Sequence, residues 1–327
     1  MRRFNASLKG SNRRSRVGPM KGLDLCEQYF RSYGMPMIQE KFGPWSQRIA
    51  AGLVGDGSEC FGFDDELSRD HDWGPGFSVW LTPPDYERIG QPLSQAMADL
   101  PQTFSGFGPR RTSDWGFGRV GVFEISDFYA GFIGLQHLPA TPDDWLNLPE
   151  NSLAACTNGK VFYDPLGEFS RWRERLLQFY PEDIRLKKMA ARCMTMAQFG
   201  QYNFQRCVRR QELVAAQYAE TKFYADAISM IFLLNRRYTP FFKWMHRALS
   251  GLPRLGEWCY TAINQLIGTQ DFDHKAVIME QICQKVIEEL KCQGLSNLES
   301  PFLLDHGPEV QSRIKDMTLR QRNVWVG

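Results

Sequence analysis

One stretch, Gly55 to Gly76, restricts what this chain can fold into more than any other. An apolar run, Ile49-Ala50-Ala51-Gly52-Leu53-Val54, leads into Gly57-Ser58. After eleven further residues come two carboxylates on alternate positions, Asp70 and Asp72, and then the apolar alternation Phe77-Val79-Leu81. That pattern predicts a strand over residues 71–82. In an extended strand, residues i and i+2 point to the same face, so Asp70 and Asp72 are expected side by side. Carboxylates held that close repel each other unless a cation lies between them. Mg²⁺, which takes one or two carboxylates together with phosphate oxygens, suits such a pair.

Asp-x-Asp alone arises by chance about once in a chain of this length; its context gives it meaning. A Gly-Ser turn presents backbone N–H groups and a hydroxyl to phosphate. Gly57-Ser58, the spacer and Asp70-x-Asp72 together resemble the signature of the polymerase-beta-like nucleotidyltransferase superfamily. The fuller string Gly-Ser-x-Cys-x-Gly-x-Asp-Asp-x-x-Ser-x-Asp-His-Asp-Trp-Gly, which starts at Gly57, is similar to a bacterial branch of that superfamily. The resemblance implies an α+β fold, a small mixed-sheet core followed by a C-terminal helical bundle. It also implies two Mg²⁺ ions and a nucleoside triphosphate, ATP in the first instance. Two-metal transfer requires a third carboxylate from a neighbouring strand. Glu124, on a strand read over Arg119 to Ile125, is the expected ligand, with Asp127 as the fallback. Arg69 is the expected phosphate contact. His71, between the two acids, is expected to be a hydrogen-bonded core residue. Asp64 and Asp65 read as an exposed turn.

A chain of 327 residues suggests two domains. The expected division is a basic tail at 1–19, an α/β part at 20–164 and a helical substrate-binding part at 165–327, with the boundary near Asp164-Pro165. The tail carries Arg2, Arg3, Lys9, Arg13, Arg14 and Arg16 without an apolar run behind them. It reads as a disordered segment and not as a secretory signal. The net charge is only +2, and the rest of the chain has no basic stripe for tracking a nucleic-acid backbone. No run approaches the length of a membrane helix. The eight cysteines form no Cys-x-x-Cys and read as reduced core thiols of a cytoplasmic protein.

Helical spacing is expected over Gly22 to Tyr33 and Asp85 to Leu100, and again over Asp183 to Phe204 and Val208 to Asn235. Shorter helices are expected around Phe241 to Leu249, Leu255 to Ile267 and His274 to Cys292. A further strand is read over Gly159 to Tyr163. The Gly-, Arg- and aromatic-rich segment Phe104 to Gly118 reads as a mobile flap.

In the helical part, Asn203, Arg206 and Arg210 share a helix face. The string Leu234-Asn235-Arg236-Arg237-Tyr238-Thr239-Pro240-Phe241-Phe242-Lys243-Trp244 looks like an element of the same bacterial branch. The resemblance implies that Lys243 contacts phosphate and that Tyr238, Arg206 and Asn203 meet the second substrate. Glu212 is a further candidate base by analogy.

The favoured reading is Mg²⁺-dependent transfer of a nucleoside monophosphate, AMP foremost, from a triphosphate to a hydroxyl or amine. Two alternatives stand beside it, a non-catalytic nucleotide sensor of the same fold and a transferase acting on RNA.

Overall fold

The structure, a computed structural model, describes residues 20–111 and 119–327. The basic tail and residues 112–118, the end of the expected flap, lie outside the described residues.

Four short strands form one mixed sheet in the order β3-β2-β1-β4. They are β1 (Ala50–Leu53), β2 (Ser78–Leu81), β3 (Gly121–Glu124) and β4 (Lys160–Tyr163). β1 pairs antiparallel with β2 and β4, whereas β2 and β3 are parallel, with Ser78 opposite Gly121 and Leu81 opposite Glu124. Helices surround it. In the first half they are α1 (Gly22–Tyr29), α2 (Met35–Lys41), α3 (Pro83–Ala98), α4 (Ile125–Ile133), α5 (Pro142–Asn147) and α6 (Glu150–Thr157). A π-turn, Phe30–Gly34, joins α1 to α2. The second half holds α7 (Glu168–Leu177), α8 (Glu182–Met196), α9 (Gln205–Arg209), α10 (Leu213–Leu234) and α11 (Phe242–Leu249). It ends with α12 (Gly256–Gly268), α13 (Phe272–Cys292), α14 (Leu303–Ser312) and α15 (Met317–Arg320). The fold is α+β, a small mixed sheet joined to a helical bundle.

Strand alternation sets the two faces of β2. Val79 and Leu81 pack with Phe77, Phe30, Ile38, Ile89 and Leu93 on one side. Trp80 points to the other, where its ring stacks on Phe169 of α7 at a centroid distance of 3.8 Å. Such an aromatic pair adds about 0.5–1.5 kcal/mol beyond the area it buries. Through Trp80, Ala50 and Val54 the sheet joins the core that also holds Met189, Phe204, Phe223 and Ile282. That core runs across position 164 without a break.

The strand expected over residues 71–82 is shorter than its pattern. Gly74 has φ +138 and is followed by Pro75, so pairing begins only at Ser78. Pro83 and Pro84 form the first turn of α3, where a missing N–H costs nothing. The single helix expected over 183–204 is continued by a π-segment, Ala197–Phe204. Among the described residues no helix is long and apolar enough to cross a membrane. All eight cysteines are free; Cys292 is exposed, Cys207 is half-buried and the other six are buried.

Candidate functional site

Because β2 starts late, Asp70 and Asp72 sit in the loop before it. Asp70 follows a single 3-10 turn, Leu67–Arg69. Asp72 adopts φ +53, a left-handed conformation that non-glycine residues rarely take. Turn geometry, and not strand alternation, brings both onto one cleft. The Asp70 carboxylate is 67% exposed and lies 2.7 Å from His71 Nδ1; Asp72 is buried, with Arg119 Nη2 3.6 Å from its Oδ2. His71 is itself exposed at the cleft and is no core residue.

The Gly57-Ser58 turn leaves β1 at the same edge. Asn158 holds its approach, accepting from Gly55 N at 3.0 Å and donating to Gly55 O at 2.7 Å. A Cβ at Gly57 would meet Glu59 Oε2 at 2.5 Å, so a larger residue there would have to displace that carboxylate. The buried Glu59 carboxylate pairs with buried Arg110, whose guanidinium also donates to Asp72 O and Gly74 O at 2.6 and 3.1 Å. Much of the long motif is therefore scaffold. The Asp64 carboxylate accepts from Gly22 N at the start of α1 and from Trp73 Nε1. Asp64 is buried by these contacts, against the expectation of an exposed turn, whereas Asp65 is exposed and accepts from Ser68.

The cleft has a volume of about 840 Å³. Its loop side presents Asp56, Ser58, Asp70 and Asp72, and its helical side presents Phe241, Lys243 and Trp244 of the α11 region, with Asn151 and Ser152 of α6. α11 is fixed to the motif loop by Arg247, which donates to Phe63 O at 2.9 Å and lies over the Phe63 ring. Lys243 lies one turn earlier on the same helix face, which brings its ammonium to the cleft. Desolvation pushes the Asp56 carboxyl above its ordinary value, against the opposing pull of Arg119.

Other expected residues are elsewhere. Glu124 ends β3 and accepts from Ser126 Oγ. Glu124 pairs with Leu81 at the far end of the parallel β2–β3 pair, three residues of strand, about 10 Å, beyond Gly121 and Ser78 where that pairing begins. Glu124 does not line the cleft, and Asp127 is turned to Gln136. Arg69 lies over the Trp73 and Phe107 rings, at 4.9 and 5.4 Å from their centroids. Tyr238 is a buried anchor donating to Leu176 O at 2.7 Å. Arg206 covers the Tyr202 ring; Arg206, Asn203 and Glu212 do not line the cleft. Sequence reasoning missed Asp56, Glu59, Arg110 and Arg119. Asp56 and Glu59 flank Gly57-Ser58 in the motif itself, which is the one signal that pointed to them.

The donors fit one Mg²⁺ held by one or two carboxylates together with triphosphate oxygens. Among the described residues no group of three or more His, Cys, Asp or Glu side chains is placed to hold a metal, and a guanidinium stands beside Asp72.

A family described as "Domain of unknown function (DUF4037)" matches residues 145–245, which include the α6 and α11 walls of the cleft. No curated protein matches the chain. Among solved structures it is similar to a nucleotidyltransferase-like protein from Exiguobacterium sibiricum 255-15, at 11% identity and TM-score 0.34, over 82% of this chain and 76% of that one. A likeness this loose transfers no residue roles.

Proposed function

We propose that the cleft binds a nucleoside triphosphate and transfers its nucleoside monophosphate, AMP from ATP in the first instance, to an acceptor hydroxyl or amine. One observation carries this reading. Ser58, Asp70 and Asp72 from the first half of the chain and Lys243 from the second line the same cleft. In this reading the chain is a polymerase-beta-like nucleotidyltransferase in which residues 20–164 receive the phosphates and residues 165–327 close over them.

Ser58 and the backbone of its turn accept the triphosphate, and the Lys243 ammonium takes phosphate oxygens. Asp70 and Asp72 would hold Mg²⁺, which supplies charge neutralisation on the phosphates when bound. Asp56, whose raised carboxyl is the more basic for it, takes the proton of the acceptor. The acceptor oxygen or nitrogen then bonds to the α-phosphorus, the α–β bridging bond breaks, and pyrophosphate leaves.

A second reading, a nucleotide sensor that does not turn over, draws support from the position of Glu124 and from the Arg119–Asp72 pair. Incubation with each α-labelled triphosphate, Mg²⁺ and cell extract separates the two. Label moved to an acceptor with pyrophosphate release supports transfer. Saturable triphosphate binding without label transfer supports the sensor, and neither would refute both.

A further inference from the structure

Beyond Phe61, which forms one wall of the cleft, lies a second pocket of about 270 Å³. That is about nine water-sized volumes. Phe61, Phe63, Leu177, Phe179, Phe232 and Leu252 give it an apolar lining. Its polar groups are already committed to the fold. Asn158 is spent on both backbone groups of Gly55, Thr157 Oγ1 donates to Leu153 O at 2.6 Å, and the Tyr238 hydroxyl donates to Leu176 O.

Charge is one-sided here. None of the lining residues is acidic, and two are arginines, Arg236 and Arg237. Arg236 ends α10 at φ +53, a position that glycine ordinarily fills, and its guanidinium pairs with Glu182 at 2.7 Å. Among the described residues the Arg237 side chain has no hydrogen-bond, ion-pair or ring partner. An occupant that satisfies this lining has an apolar body and a single anionic group.

The geometry points to a binding site for a small apolar monocarboxylate, its body against Phe179 and Phe232 and its carboxylate on Arg237. The site is coupled to the cleft, since Phe61 belongs to both walls and Asn158 fixes the backbone two residues before Gly57. Occupancy therefore changes affinity for a cleft ligand, and the effect is reciprocal. The binding step goes beyond the triphosphate reading and does not depend on it.

The test titrates 3-phenylpropionate and 4-methylvalerate, each beside its neutral amide, into the full chain without nucleotide, followed by calorimetry. Wild type should bind the acids saturably and at least about tenfold more tightly than the amides, a difference of about 1.4 kcal/mol. Arg237→Gln, at an exposed position, should abolish that preference with an unchanged melting temperature, and Ala248→Phe should block acids and amides alike. Failure of both acids to saturate, or an undiminished acid preference in Arg237→Gln, would overturn the site. Repeating the titration with ATP and Mg²⁺ tests the coupling: bound acid should shift triphosphate affinity, and an unchanged affinity would refute the coupling while leaving the binding site standing.

Discussion

Arg110 donates to the main-chain oxygen of Asp72 at 2.6 Å, and the same guanidinium nitrogen lies 2.9 Å from the buried Glu59 carboxylate. The other backbone group of Asp72, its N–H, donates to Arg111 O at 2.6 Å. Consecutive residues of one loop thus hold both polar ends of an aspartate in a left-handed conformation. Because Gly57 rests on that same Glu59 carboxylate, one buried ion pair connects the Gly-Ser turn to the acid opposite it.

Breaking this pair from one side leaves a buried charge uncompensated. Arg110→Met should therefore cost about 3–5 kcal/mol of stability, while the double variant with Glu59→Leu should lose less than the sum of the single changes. Urea unfolding of all four proteins measures the coupling. Strict additivity would show that the pair does not act as a unit.

Glu124→Gln should leave triphosphate affinity and any turnover unaltered, because its carboxylate is at the far end of β3 and outside the cleft. Asp70→Asn and Asp72→Asn should abolish both Mg²⁺-supported functions without unfolding the chain. A loss in Glu124→Gln equal to theirs would restore it as a metal ligand.

Lys187 gives a pH signature distant from the cleft. Its buried ammonium donates to Gln311 Oε1 at 2.8 Å and Asn323 O at 2.7 Å, and burial, with a smaller push from Arg322, lowers its pKa from 10.5 to about 8. Between those values the unfolded chain binds a proton that the folded chain has released, so this residue makes stability rise with pH across that window. Below it both states are charged and the contribution is flat. Subtracting Lys187→Met unfolding curves from wild type should isolate the rise. A flat difference would show that the ammonium is not desolvated.

Thiol titration of the native protein should give one fast-reacting group, abolished by Cys292→Ser, with the partly covered Cys207 slower. Burial raises the thiols of Cys26, Cys156, Cys193 and Cys259 and keeps them out of the reactive thiolate form. Rapid modification of all eight would indicate an open core.

Helices such as α13, expected over His274 to Cys292, were legible because Ile278, Ile282 and Leu290 repeat at helical spacing over enough turns to dominate local preference. The strand bearing the acids was not, since Asp70-x-Asp72 alternates as a strand would while Gly74 and Pro75 break the backbone behind it. Gly57, Ser58, Asp70, Asp72 and Lys243 could be singled out from local strings. Glu124 stands outside the cleft lining because its place depends on the parallel β2–β3 register, and no local string encodes which end of a neighbouring strand an acid will occupy. The Glu59–Arg110 pair, 51 positions apart, was hidden for a similar reason. Its arginine lies in an aperiodic segment that reads as flap, although the Phe104–Phe107 turn packs on Tyr29, Tyr33 and Trp73.

The most direct test of the cleft is calorimetric titration of ATP with Mg²⁺ into wild type, Ser58→Ala and Lys243→Met. Each replaced group lies on a different wall, and each is expected to lose a hydrogen bond to a charged phosphate, about 1.5–3 kcal/mol or roughly ten- to a hundredfold in affinity. Saturable binding by wild type, weakened by both substitutions with melting temperatures unchanged, is the predicted result. Absence of binding to wild type, or equal affinity in all three proteins, would contradict it.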